Sequence, residues 1–190
     1  MAKGMYHYIK EAWKKPDAKT LRERMIEWRA SDSITRVDKP LRLDRARELG
    51  YKDKKGFVVV RIRIMRGGHR RPKINKARRS KRQTVRKTLK MNYQWIAEQR
   101  VGRKFKNLEV LNSYLIGKDG IYYFYEVILV DSSRPEIEND KTMKWVCNPS
   151  NKGRVFRGLT SAAKKSRGLR KKSKELKVRP SARAWDRKGK

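Results

Sequence analysis

The stretch LEVLNSYLIGKDGIYYFYEVILV, residues 108–130, decides how the rest of the chain is read. Two apolar runs, Leu108 to Ile116 and Ile121 to Val130, flank Gly117-Lys118-Asp119-Gly120, a glycine-bounded polar turn that closes a β-hairpin. The second run is apolar at both parities except at Glu126. A strand with one wet face alternates, whereas a strand apolar on both faces is covered on both. The run therefore predicts an interior strand.

A further strand is expected at Phe57 to Met65, a β-branched run bounded by Lys55-Gly56 and Gly67-Gly68. Val58, Val60, Ile62 and Ile64 share one face; Arg61 and Arg63 lie on the other. Those two arginines either meet a polyanion or face solvent, where an acid such as Glu109 or Glu126 pairs with them.

Helical spacing governs the flanks. Met5, Tyr8, Ile9, Ala12 and Trp13 make one apolar stripe, and Leu21, Met25 and Trp28 repeat it. Pro16 separates the two helices and suits the first turn of the second. Residues 31–40 read as a polar connector, and Asp44 to Leu49 as a short helix capped by Asp44 and stopped by Gly50. From about Thr84 the helical period returns through Val85, Leu89, Tyr93, Ile96 and Ala97 to Gly102. Pro135 opens a helical turn. Helix, helix, strand, long basic stretch, helix, hairpin and arm together make an α+β fold with a small, mainly antiparallel sheet packed with helices. The expected organisation is a core domain over 1–149, interrupted by a basic loop at 66–83, and a basic C-terminal arm over 150–190.

Charge names the partner. The chain of 190 residues has 54 Lys+Arg against 19 Asp+Glu, a formal net charge of +35. Residues 51–107 carry net +19 and residues 150–190 net +14, while 108–149 carry net −3. Two cationic stretches thus flank an apolar, mildly acidic one. Self-repulsion on this scale calls for a polyanion, and nucleic acid qualifies because each phosphate met by Lys or Arg releases counterions. No run of 18 apolar residues and no signal or lipidation pattern argues for a membrane. The hydrophobic share of 37% limits the core to part of the chain. A single cysteine, Cys147, rules out an internal disulfide and fits a reducing compartment; with only His7 and His69 there is no zinc spacing.

The densest basic stretch, RGGHRRPKINKARRSKRQ (66–83), holds ten basic residues counting His69, and no acid. It reads as a loop that RNA orders, with Arg66, Arg70, Arg71, Lys73, Lys76, Arg78, Arg79, Lys81 and Arg82 on phosphates and His69 as a further contact. Gly67 and Gly68 there let backbone N–H groups approach closely. A solvated charge run is the plainer alternative. In RGLTSAAKKSRGL (157–169), Thr160 caps a helix that Gly168 stops. Arg157, Thr160, Lys164, Lys165, Arg167, Arg170, Lys171 and Lys172 are the expected RNA-binding residues of the arm, and Trp185, between Arg183 and Arg187, suits stacking on a base, a ribose or an arginine plane, with docking onto its own domain as the plainer alternative. Trp13, Trp28, Trp95, Tyr93 and Tyr122 to Tyr125 fall in periodic segments and are expected in or near the core. Nucleotide-binding glycine loops, zinc-protease motifs and nucleophile triads are absent from the sequence, so neither enzyme chemistry nor a cofactor, metal or small-molecule substrate is expected.

Three motifs then converge. The stretch DKPLRLDRARELGYKDKKGFVVVRIRIMRGGHRRP (38–72), the hairpin LNSYLIGKDGIYYFYEVILVD (111–131) and the arm motif RGLTSAAKKSRGL resemble the archaeal and eukaryotic type of ribosomal protein fifteen of the large subunit, which is unrelated to the bacterial protein of that number. The resemblance covers nearly the whole chain; Ala163 stands where that family has Gly, and the match is poor after Lys172. It implies a mixed α/β core on large-subunit rRNA with loop and tail between rRNA helices. It also implies neighbouring ribosomal proteins as partners, a cytoplasmic location within the large subunit, and a non-catalytic chain that is not a homo-oligomer. Charge alone leaves a chromosomal architectural protein as the alternative.

Overall fold

A computed structural model describes residues 3–68, 76 and 89–170. The helices are α1 (Met5–Lys14), α2 (Ala18–Ala30), α3 (Leu43–Glu48), α4 (Tyr93–Lys104), α5 (Pro135–Glu138) and α6 (Ser161–Ser166). The strands are β1 (Ile34–Val37), β2 (Phe57–Met65), β3 (Glu109–Lys118) and β4 (Tyr122–Val130), joined as one antiparallel sheet in the order β1-β2-β4-β3. The α+β class and the interior position of the second hairpin strand are as the sequence predicts.

Both faces of β4 are covered. Tyr125, Val127 and Leu129 meet Val60, Ile62 and Ile64 of β2 beneath Ala97 and Val101 of α4. Phe124 and Ile128 face the other way, onto Trp28 of α2, Ala46 of α3 and Tyr51. Val130 and Ile137 of α5 extend the core at one end. Gly56 sits there with φ +94°, its position so close to α5 that a Cβ would lie 2.6 Å from Ile137 Cγ1.

Several expectations need correction. The connector at 31–40 contains β1, whose Ile34 pairs with Ile62 and whose Val37 pairs with Val59. Four residues are too few to show alternation, so the edge strand is specified by its ladder to β2 rather than by its own pattern. Pro16 precedes the N-cap Asp17 of α2, whose carboxylate accepts from Thr20 N at 2.8 Å. In α3 the N-cap position belongs to Arg42, and Asp44 is buried inside the first turn. Gly50 follows with φ 98°, the left-handed stop expected of it. Helix α4 begins at Tyr93 because Asn92 caps it, its side chain accepting from Trp95 N at 2.8 Å. Leu89 lies before that helix, while Thr84 and Val85 lie outside the described residues.

The hairpin turn is displaced as well. Strand β3 runs through Gly117 to Lys118, and the reversal is made at Asp119, whose Oδ1 accepts from Ile121 N at 2.7 Å. Gly117 serves packing: a Cβ there would lie 3.2 Å from Cζ3 of Trp28.

Candidate nucleic-acid interface

The segment 150–170, expected as the start of an arm, is fastened to α4. Trp95 Nε1 donates to the Val155 carbonyl at 2.8 Å, Asn92 Nδ2 to the Ala162 carbonyl at 3.0 Å, and Asn92 N to Ser166 Oγ at 3.0 Å. Beneath them Glu98, fully buried, accepts from the hydroxyl of Ser113 on β3 and from Thr160 Oγ1 at 2.6 Å. Burial pushes the Glu98 carboxyl above its ordinary range, and the two hydroxyl donors pull it back in part. Thr160 is the N-cap of α6, as expected, but its side chain is wholly inside, where it fixes the helix.

That fastening presents cations. Arg157, Lys164, Lys165 and Arg170 are exposed around α6. Arg157 Nη2 donates to the Lys152 carbonyl at 2.9 Å, and Arg167 Nη1 to the Gly158 carbonyl at 2.9 Å. On α4 itself Arg100 and Arg103 are exposed, with Lys106 just beyond.

A groove of about 1100 Å³ lies between α4 and the end of β2, lined by Arg66, Lys90, Arg100 and Arg103 among apolar side chains such as Met65 and Ile96. At its edge the start of the basic stretch is pinned to α4. Gly67, with φ 106°, donates its N–H to Tyr93 Oη at 2.8 Å, and Tyr93 Oη donates to the Gly67 carbonyl at 3.1 Å. Tyr93 stacks on Tyr123, and Arg66 lies over the Tyr123 ring. Gly68 is exposed beside them, and Lys76 is exposed. Of the expected contacts, His69, Arg70, Arg71, Lys73, Arg78, Arg79, Lys81, Arg82, Lys171, Lys172 and Trp185 lie outside the described residues.

Arg61 and Arg63 are placed differently from the polyanion reading. They point to the opposite sheet face, where α2 covers them. Arg63 Nη1 donates to the carbonyls of Trp28, Arg29 and Ser31, the last turn of α2 and its C-cap. Arg61 Nη2 donates to Ser31 Oγ at 3.2 Å, with its guanidinium 5.5 Å from the centre of the Trp28 ring. Both side chains are thus occupied in holding a helix to the sheet. Beside them buried Glu126, paired in register with Arg61, accepts from Tyr114 Oη and from Leu41 N; burial raises its carboxyl above the ordinary range.

The distribution of ion pairs separates the two sides of the molecule. Every ion pair among the described residues lies with α1–α3, at the hairpin turn or around α5: Lys10–Glu48, Arg29–Asp119 and Lys54–Asp140 are examples. Lys90, Arg100, Arg103, Lys106, Lys152, Lys164 and Lys165 have no acid within ion-pair distance among the described residues. Sequence reading passed over Lys90, Arg100, Arg103, Lys106 and Lys152. The spacing of Arg100, Arg103 and Lys104 around buried Ala97 and Val101 was the available signal, an outward basic face on a helix with an inward apolar one.

No helix among the described residues is long and apolar enough to cross a membrane. A protein-family model described as Ribosomal L15 matches residues 4–185.

Proposed function

Because the chain belongs to the L15e family of ribosomal proteins, matched over residues 4–185, we propose that it braces large-subunit rRNA with the cationic side built on α4 and α6. Family membership makes it a structural ribosomal protein of the large subunit, associated there with rRNA and with other ribosomal proteins. The finer reading is that Arg66, Gly67, Gly68, Lys90, Arg100 and Arg103 receive RNA at the groove. Arg157, Lys164, Lys165, Arg167 and Arg170 receive it at α6. The same reading counts the basic residues of 69–82, Lys171, Lys172 and Trp185 as RNA contacts, on their sequence alone. The division into a core and basic extensions, the cytoplasmic setting and the absence of catalysis belong to the same reading.

The observation that carries it is the cluster of cations that form no ion pair among the described residues. Like charges gathered on one surface repel, and that cost is offset when phosphates replace the counterions around them. Contacts of this kind go mainly to phosphate and ribose and recognise RNA by its shape. The test is a titration of the full chain with large-subunit rRNA at several salt concentrations. If about ten phosphates are met, log affinity falls against log salt with a slope of about −7 to −9. A slope near −2 assigns most of the charge to another purpose.

A further inference from the structure

A second cavity adjoins the basic groove across Arg103, which lines both. It is an apolar slot of about 350 Å³ between the end of α4, the start of β3 and the segment that precedes α6. Its wall is made by Leu108, Val110, Val155 and Phe156. Three cations, Arg103, Lys106 and Lys152, stand around it, and all three are exposed.

Phe156 is the odd member. Its side of the segment is anchored, with Val155 buried and the Phe156 N–H donated to the Gly153 carbonyl at 3.1 Å, yet the residue is 47% exposed. Two glycines bracket the ring: a Cβ at Gly102 would lie 3.4 Å from Phe156 Cζ, and one at Gly153 would lie 3.9 Å from Cδ2. One part of the ring thus rests against backbone and the rest is offered to the slot. One exposed side chain alone needs no explanation, but the exposed part of this ring shares the slot with Leu108, Val110 and Val155 and joins them in one apolar surface.

The charge around the slot selects what covers it. Glu109 is the one acid in the lining, and both its oxygens accept from Gly153 N, at 3.1 and 3.0 Å. The rim is therefore a triad of cations around an apolar floor. A hydrophobic side chain of another protein fills an apolar floor but gives nothing to three cations. A nucleotide satisfies both, because its base has an apolar π face and its flanking phosphates are anionic. At about 350 Å³ the slot is at the small end of ligand cavities, roughly 300–1000 Å³, which suits a single planar ring system.

We propose that this slot takes one unstacked base of large-subunit rRNA, stacked on Phe156, with its flanking phosphates on Arg103, Lys106 and Lys152. The inference rests on the rRNA-bracing reading and adds a discrete nucleotide contact to a surface otherwise devoted to phosphate. The Glu109 carboxylate retains accepting capacity and disfavours phosphate at the floor, so it favours a base edge that carries an amino group.

The test compares the full chain with its Phe156→Ala and Phe156→Tyr variants, titrated with purified large-subunit rRNA across a salt series. Stacking is not a counterion effect. Phe156→Ala should weaken binding by about 5- to 100-fold while leaving the salt slope unchanged, and Phe156→Tyr should bind like the parent. Circular dichroism of each variant confirms that the comparison is between folded chains; Phe156→Leu, which keeps the packing against Gly102 but not the aromatic face, replaces Phe156→Ala if that variant unfolds. Affinity of the Ala or Leu variant within two-fold of the parent overturns the proposal. So does unchanged rRNA affinity with loss of the variant from assembled subunits, which assigns the slot to a neighbouring protein. A shallow salt slope for the parent chain instead overturns the underlying rRNA-bracing reading, so the two failures are distinct.

Discussion

Glu98 Oε2 accepts the Thr160 hydroxyl at 2.6 Å, a hydrogen bond that joins the middle of α4 to the cap of α6 across 62 residues of chain. Both groups are fully buried, and through them the exposed cationic surface of α6 is attached to the core. Thr160→Val removes the donor to Glu98 and the cap of α6 together. We expect a loss of about 2–4 kcal/mol, from an unsatisfied buried carboxyl oxygen and an uncapped helix. Urea unfolding of the two chains measures it, and a loss under about 0.5 kcal/mol would show that the pair is dispensable.

Glu98 also sets a pH dependence. Burial raises its carboxyl in the folded chain above the ordinary value of 4.5. Between that value and the raised one, the native chain holds a proton that the unfolded chain has released. Stability therefore falls as pH rises through this window and is recovered as pH drops. Glu98→Gln should be more stable relative to the parent at neutral pH than at pH 5, because the amide never ionises. Thermal melts of both chains across pH 5–8 test the sign; a difference that does not vary with pH removes Glu98 as its source.

Arg63 is expected to matter for the fold. Its guanidinium caps the carboxyl end of α2 through three carbonyls, where a cation also opposes the helix dipole. Arg63→Ala should cost about 1.5–3 kcal/mol, the range for hydrogen bonds to a charged group. The salt slope for rRNA should stay the same within experimental scatter. A stable variant with a flatter slope would return Arg63 to the RNA surface.

The opposite pattern is expected at α6. Lys164 and Lys165 are exposed and have no ion pair among the described residues, so Lys164→Gln with Lys165→Gln should change stability by less than about 0.5 kcal/mol. The slope should flatten by about 0.7 for each phosphate that is no longer neutralised. A salt series with the double variant reads the slope, and urea unfolding reads the stability.

At Gly56 the backbone is the constraint. Ala there must adopt φ +94° and push its Cβ into Ile137. We expect Gly56→Ala to destabilise by more than about 1 kcal/mol, read from the shift in urea midpoint.

What was legible in the sequence followed from period and composition. IYYFYEVILV announced an interior strand because no wet face explains it, and it pairs on both edges and packs on both sides. The alternation in β2 correctly set Arg61 and Arg63 against Val58 to Ile64. It could not say what lies over the arginine face, because α2 arrives there through tertiary packing that no local pattern encodes. Gly117 is similar: a glycine beside Lys-Asp-Gly reads as turn, and only the Trp28 ring against it reveals another purpose. The candidate interface was half visible. Dense basic runs stand out in a sequence, whereas Arg103, Lys106, Lys152 and Phe156 come together only when α4 and the segment before α6 are packed side by side.

The closure between Gly67 and Tyr93 bears on how such a protein can be remade. Two points 26 residues apart in the chain are joined there by a pair of hydrogen bonds, so the stretch between them begins and ends at one clasp. Lengthening a closed excursion is thermodynamically mild, about 0.6 kcal/mol for each doubling. The clasp therefore constrains the length of the chain between its two ends only weakly.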